Sequence, residues 1–475
     1  MNDKPNNIIL LVLDDLRYDR INKKTMPFLT RLAKDNYFFT NCTSTAPWSP
    51  PSYASIFSGL YPFQHGIKGE TLMMNSNVKT LADILMSKGY KTIGGSLSPH
   101  ISVHRKFDKG FDEFFDLYDT KELLKQGCAV RPLILKKVHK SLSKIPGYDG
   151  GKIEKIIKKF AAPEDSGAFI VNEFVKYICK RIPERQPHFL FGMYLETHGP
   201  YTHVPKNYKN DKLIKTDKGV KIAEDPIKYF NLRKQLNTED IDSINSHYDR
   251  AANYLDYKLK ELFGFFKGKK VLDDTTIFII ADHGELLGEH NLIGHYEFSL
   301  FEELLHVPLI AVTPGEKKRQ EIDAPVQSID IFTTICEMLG IKINKELYSG
   351  IDLFGNIPDM RTIFAECEGR SATLDLIKKE NPEFNKKNFD RSLKMIKRDK
   401  YKLISASDGT YKLYNLKEDP QEKVDISGRA ENILERLKRE MDMLLSQYKK
   451  IEKNGSTVID DNEVIKQRLK DLGYI

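Results

Sequence analysis

Short, nearly continuous apolar runs separated by amphipathic helical stretches constrain this chain most. The runs fall at 8–13, 91–94, 189–194, 276–281 and 308–312. Strands with both faces apolar are buried on both faces, which is the pattern of a mainly parallel sheet covered by helices. Between them, 25–34, 80–88, 167–181, 238–266 and 327–339 carry apolar residues at three- and four-residue spacing and read as helices. The expected fold class is therefore α/β, a large mixed, mainly parallel sheet sandwiched by helices. From about residue 362 the texture changes. Segments 392–397, 400–404 and 411–414, with a Ser-Asp-Gly turn at 407–409, read as a small antiparallel unit. The expected organisation is a catalytic unit over 1–360, a small antiparallel-sheet unit over 361–428 and a helical tail over 429–475. A Lys-rich insertion at about 125–165 interrupts the first of these.

Composition narrows the class. The 475 residues are 40% hydrophobic and 30% charged, which excludes general disorder. The net charge of +7 is mild at this length and does not call for a nucleic-acid partner. No apolar run approaches the roughly 20 residues needed to span a bilayer. No Lys/Arg-flanked leader precedes the first strand, and five cysteines lie without a CxxC or a close pair. A cytoplasmic location with reduced thiols is the expectation. The insertion interleaves lysines with apolar residues, so its alternatives are a solvated helical face or a peripheral contact with an anionic surface. The oligomeric state is not legible.

The chemistry sits where the strands stop. IILLVL runs directly into Asp14 and Asp15, and TIFIIA runs into Asp282, His283, Gly284 and Glu285. In open parallel sheets ligands bind beyond the carboxyl ends of the strands. Two acidic strand ends on one sheet edge would bring Asp14, Asp15, Asp282 and His283 to one divalent cation, although an Asp after a strand also serves as a helix N-cap. Between them lies APWSPPSYASIFSGLYP, where Ser49 precedes two prolines at the mouth of a short helix. A serine there meets free N–H groups and the positive end of the helix dipole, and a neighbouring cation could activate it as a nucleophile. The bland alternative is a serine that only caps the helix. His283, His290, His295 and His306 crowd into one segment, and His198 follows the apolar run FLFGMYL. His198 and His283 occupy strand ends; His306 does not.

In order and spacing, NIILLVLDDLRYD, SPPSYASIFSGLYP, GYKTI, KGFDEFF, ETHGPY, ADHGELLGEH, HVPLI and YKLYNLKEDPQEKVDIS resemble the sulfatase family of the alkaline-phosphatase-like superfamily. The resemblance implies metal carboxylates at Asp14 and Asp15 and a second pair at Asp282 and His283. It implies a nucleophile at Ser49, itself on the metal, where sulfatases carry a Cys or Ser oxidised to formylglycine. His198 matches a histidine that contacts the bound ester or its leaving group, and His295 falls where many members carry a sulfate-contacting Lys. The implied cofactor is one divalent ion, calcium first, with manganese, magnesium or zinc as alternatives. The sequence departs from the family twice. The signature Cys/Ser-x-Pro-x-Arg reads Ser49-Pro50-Pro51-Ser52-Tyr53, and the Lys-x-His after the second strand is replaced by GSLSPH, ending at His100. The expected activity is hydrolysis of a small-molecule or glycan sulfate ester. The alternatives are a phosphodiesterase, phosphonate monoester hydrolase or phosphotransferase using unmodified Ser49, and an inactive binding module.

Overall fold

A computed structural model describes residues 7–118, 167–205, 208, 218–224, 236–296, 298–315, 319–369, 371–380, 382, 384–386, 389–452 and 466. The insertion expected at 125–165 and most of the tail beyond 452 lie outside the described residues, as does Cys128. Among the described residues the main sheet has nine strands: β1 (Asn7–Leu13), β2 (Tyr37–Thr43), β3 (Lys91–Ser96), β4 (Glu113–Asp116), β5 (His188–Tyr194), β6 (Thr275–Ile280), β9 (His306–Val312), β10 (Gln320–Ile322) and β11 (Val326–Gln327). Two further strands, β7 (Leu286–Leu287) and β8 (Ile293–Gly294), form a small hairpin of their own.

The spatial order is β10-β2-β9-β6-β1-β5-β3-β4, with β11 beside β2. β1 pairs in parallel with β5 on one side and β6 on the other. Every residue of β1 and β6 is buried, which is why both read as unbroken apolar runs. Strand β9, whose apolar run looked like another parallel member, is antiparallel to both β2 and β6. A fully buried strand is apolar whichever way it runs, so direction leaves no trace in the pattern.

Helix boundaries differ from expectation in one informative place. Residues 327–339 do not form one helix: Val326–Gln327 is strand β11, and the helix is Asp330–Met338. The Asp330 carboxylate accepts the Gln327 N–H at 2.7 Å and two hydrogen bonds from Arg361. It thus fastens the strand–helix junction. The C-terminal sheet is antiparallel in the order β12 (Ile363–Glu368), β13 (Ser392–Arg398), β14 (Tyr401–Ala406), β15 (Tyr411–Asn415). The amphipathic helix Glu431–Gln447 buries Leu437, Met441 and Leu444 against that sheet. Buried Lys402 of β14 joins Glu302 and Glu422, each at 2.9 Å, and so ties the sheet to the short helix Glu302–Leu305 of the larger unit.

Candidate active site

Three adjacent strands deliver the site. Because β6, β1 and β5 are parallel neighbours about 4.8 Å apart, whatever follows their carboxyl ends converges. Asp14 and Asp15 follow β1, Asp282 and His283 follow β6, and His198 follows β5. The Asp14 N–H donates to Tyr194 O at 3.0 Å, and Thr197 Oγ1 donates to Asp14 O at 2.5 Å, so the β1 and β5 ends are stitched together. Asp15 adopts the left-handed region at φ 60°, a costly conformation for a non-glycine residue. Its N–H reaches Asp282 Oδ1 at 3.3 Å, and its carbonyl accepts the Tyr248 hydroxyl at 2.6 Å.

Ser49 arrives on a wholly buried helix, Ser49–Ser58. Trp48 is the N-cap, so Ser49 is the first helical residue and not the cap expected from the sequence. The turn after this helix needs Gly59 at φ 68°, where a Cβ would fall 2.5 Å from Phe332. Ser52 Oγ donates to Asp282 O at 2.7 Å and locks the helix against the β6 end. Ser49 Oγ then lies 3.2 Å from Asp14 Oδ1 and 3.2 Å from His283 Nε2. His283 Nδ1 is 2.9 Å from Gly284 O and 2.8 Å from Asp15 Oδ1, both acceptors, and its Nε2 faces Ser49 and Asp282 Oδ2.

The donor set fits a divalent cation. Asp14 Oδ2, Asp15 Oδ2 and Asp282 Oδ2 are buried and receive no hydrogen bond. The groups Asp14–Asp282–His283, Asp14–Asp15–His198 and Asp15–His283–His295 each have ligand atoms within 4.8 Å of one another. Burial, then Asp282 and Asp15, pushes the Asp14 carboxyl well above its ordinary range. Asp15 is likewise raised, first by burial, with His295 opposing and Glu285 adding to it. Carboxylates gathered this closely out of water need a cation to stay ionised together.

The two remaining histidines differ in surroundings. His198 Nδ1 is 2.6 Å from Gly199 O, and burial followed by neighbouring His295 lowers its pKa well below the ordinary value. His295 Nδ1 is 2.7 Å from Glu285 Oε2 and 3.3 Å from Asp15 Oδ2. Burial alone would lower its pKa, but those two carboxylates reverse the effect and raise it. The His198 and His295 rings meet edge to face with centroids 4.9 Å apart. His290 and His306 stand apart from this group. His290 stacks on Phe301, and His306 stacks on Tyr18 and hydrogen-bonds Thr40 O. His100 is buried just past the end of β3.

Sequence reasoning missed Glu285, Tyr201, Tyr248 and Arg17. Arg17 Nη1 donates to Glu285 O at 3.1 Å and to Glu289 Oε1 at 2.7 Å, fixing the β7–β8 hairpin to the segment after Asp15. The Tyr248 hydroxyl accepts the Arg17 N–H at 2.8 Å. The Tyr201 hydroxyl donates to Glu285 Oε1 at 3.0 Å. Two-residue strands give no alternation to read, so nothing local marked Glu285 as more than a surface carboxylate.

Acidic strand ends on a mostly parallel mixed sheet, with a helix-borne serine between them and a C-terminal antiparallel sheet, define an alkaline-phosphatase-like fold. Residues 6–341 match the family described as Sulfatase, and 288–449 match the region described as N-sulphoglucosamine sulphohydrolase, C-terminal; the chain belongs to the sulfatase family. Arylsulfatase K of Gallus gallus is 24% identical over 92% of this chain and 80% of its own. The crystal structure of the phosphonate monoester hydrolase of Agrobacterium radiobacter superposes with a TM-score of 0.67 at 20% identity, covering 94% of this chain and 95% of that one. A 2-O GAG sulfatase, BT1596, superposes with a TM-score of 0.63 at 17% identity, covering 94% and 92%. Among the described residues, no helix is long and apolar enough to cross a membrane.

Proposed function

We propose that the chain is a metal-dependent hydrolase of sulfate esters with Ser49 as its nucleophile. The observation that carries this reading is Ser49 Oγ at 3.2 Å from both Asp14 Oδ1 and His283 Nε2, at the head of a buried helix. Asp14, Asp15, Asp282 and His283, with Ser49 itself, would hold the ion, calcium first among the hard divalent cations that suit carboxylate oxygens. When bound, that cation would polarise one oxygen of the ester's sulfate group and favour the ionised form of the nucleophile.

The chain's own residues then have separate tasks. Asp14 Oδ1 is placed to take the Ser49 proton, and the helix N-terminus lends positive potential to the attacked anion. Ser49 Oγ attacks sulfur in line with the departing ester oxygen. His198 and His295 flank Asp15 and stabilise or protonate the departing alkoxide. Water then displaces sulfate from the Ser49 ester. A formylglycine at this position would instead release sulfate by collapse of its hydrate. In this reading residues 1–360 carry the chemistry, and 361–428 buttress it through Lys402 and Glu302. A sulfated glycan is the favoured substrate class, motivated by the 2-O GAG sulfatase that shares this fold.

One observation favours a second reading, a phosphonate or phosphate ester hydrolase with unmodified serine. Tyr53 occupies the signature's arginine position. It is wholly buried and packs edge to face on Phe57 and Phe191, so it cannot supply the missing positive charge beside Ser49. Mass spectrometry of the tryptic peptide carrying Ser49, with parallel assays on aryl sulfate, aryl phosphate and phosphonate esters, separates the two. Unmodified serine with turnover only of the phosphorus esters would refute the sulfatase reading.

A further inference from the structure

Strands β12 and β13 pair as a plain antiparallel hairpin, from Ile363 opposite Lys397 to Glu368 opposite Ser392. A two-residue turn would close that ladder, because Glu368 and Ser392 already face each other across its end. Residues 369–391 stand in place of the turn, so the length of this excursion is not set by the sheet. What it packs against is the site. Buried Leu374, Ile377 and Phe384, with Phe389, meet Leu292, Tyr296 and Phe298 in an apolar cluster separate from the main core. The rings form a continuous series. Tyr296 stacks on Phe298 with centroids 5.0 Å apart, Phe298 meets Phe389 at 5.6 Å, and Phe389 stacks on Phe384 at 5.1 Å. Leu292, Tyr296 and Phe298 flank His295, whose Nδ1 lies 3.3 Å from Asp15 Oδ2. The excursion is thereby anchored on the segment that borders the candidate metal centre.

That anchoring uses the excursion's apolar side, and what remains is polar. Asp375, Lys378, Lys379 and Asn385 are exposed. Internal bonds hold the shape: Lys378 Nζ donates to Pro382 O at 2.5 Å and Phe384 O at 2.9 Å, and Lys386 Nζ pairs with Asp375 Oδ1 at 2.7 Å. At the root, Lys68 of the larger unit meets Glu368 at 3.0 Å. A rigid surface of this kind offers hydrogen bonds rather than an apolar slot. We propose that the helix Ser371–Glu380, held by this cluster, forms a wall that recognises the leaving group of the ester, a large, hydroxyl-rich group of the glycan class. The inference rests on the ester-hydrolase reading and adds to it the element that selects the alcohol. Ser49 and the candidate metal ligands come from β1, β6 and the helix Ser49–Ser58, none of which belongs to the excursion. The wall therefore adds binding to a large ester and leaves the chemistry on a small one alone.

The test compares two esters in the purified full-length protein with its metal: 4-nitrophenyl sulfate and a monosulfated disaccharide, with the matching phosphate esters in parallel. Replacing 369–391 by Asn-Gly should raise KM for the disaccharide ester about 10-fold or more at unchanged kcat. For the 4-nitrophenyl ester, kcat and KM should stay within about twofold of wild type, and bound metal should be unchanged. Phe389→Ala loosens the anchor and keeps the chain intact. It should move the disaccharide KM the same way by about 3-fold, and it carries the test if the shortened protein does not fold. Equal losses on both esters, or metal loss in parallel with activity, would overturn the proposal and leave the excursion as a support for the His295 segment. An unchanged ratio of the two KM values would overturn it as well. A wild-type protein that turns over neither ester would refute the ester-hydrolase reading instead. Titration calorimetry with the monosulfated disaccharide then decides the wall: binding weakened in both variants supports it, and equal binding or none removes it.

Discussion

Asp14→Asn, a change of one atom, gives a crossed stability pattern that follows from the packing of the carboxylates proposed to hold the metal. The ligand atoms of Asp14, Asp15 and Asp282 fall in groups no wider than 4.8 Å, and all three side chains are buried. At an effective dielectric near 20, two unit charges at that separation repel by about 3.5 kcal/mol. Protonation of one carboxyl caps that cost, so removing the Asp14 charge should stabilise the chelated protein by about 1–3 kcal/mol. Asn keeps an oxygen for the Ser49 hydroxyl, which limits any offsetting loss. Metal does the reverse. At a hundredfold excess over Kd it should stabilise wild type by about 2.7 kcal/mol and the variant far less. The assay is thermal or urea unfolding of both proteins in chelator and in calcium. The pH dependence carries the same signature. Asp14 and Asp15 have raised pKa values in the folded state, so the native form holds protons that the unfolded form has released. These two carboxyls therefore contribute stability to the chelated wild type that is fully present below about pH 4 and is lost as pH rises, opposite in sign to carboxyls such as Glu302 whose pKa is lowered. Saturating metal should flatten that slope. A variant less stable than wild type in chelator, yet with the full metal-induced gain, would refute the reasoning.

Other outcomes follow from particular contacts. Lys402→Met leaves Glu422 buried without its cation and Glu302 with Lys397 alone at 3.2 Å, and should destabilise the protein by about 3–5 kcal/mol in chemical denaturation. Gly284→Ala would place a Cβ 2.1 Å from Glu303 O beside His283; we expect a loss of about 1–3 kcal/mol and of metal affinity, measured by unfolding and by metal content. Asp330→Asn weakens the two Arg361 hydrogen bonds at the β11–helix junction and should destabilise by about 2–4 kcal/mol with kcat retained, checked by unfolding and steady-state assay.

The parts of the site legible in the sequence are those carried by buried parallel strands. Two unbroken apolar runs that each end in a carboxylate can be read directly, and Asp14, Asp15, Asp282 and His283 are brought together by β1 and β6 as adjacent parallel neighbours. Ser49 was legible through the prolines that follow it, although it sits one position further inside its helix than a cap would. Direction was not legible: β9 reverses inside the sheet and leaves the same apolar run. Strand β12 was also unread. Its ladder with β13 is completed only by tertiary pairing, because the helix Ser371–Glu380 and not a tight turn lies between the two strands. Glu285, Tyr201 and Arg17 depend on a hairpin with two-residue strands and on a loop more than 80 positions away, with 84 residues separating Tyr201 from Glu285. Such pairings are decided by packing after the strands are in place, so no local period announces them.

The central claim is that a serine held between a metal carboxylate and an imidazole performs the chemistry. Steady-state hydrolysis of aryl sulfate and aryl phosphonate esters by Ser49→Ala tests it most directly. The account predicts that turnover of whichever ester wild type accepts falls to background while metal content is largely kept. Wild-type rates in Ser49→Ala would contradict it.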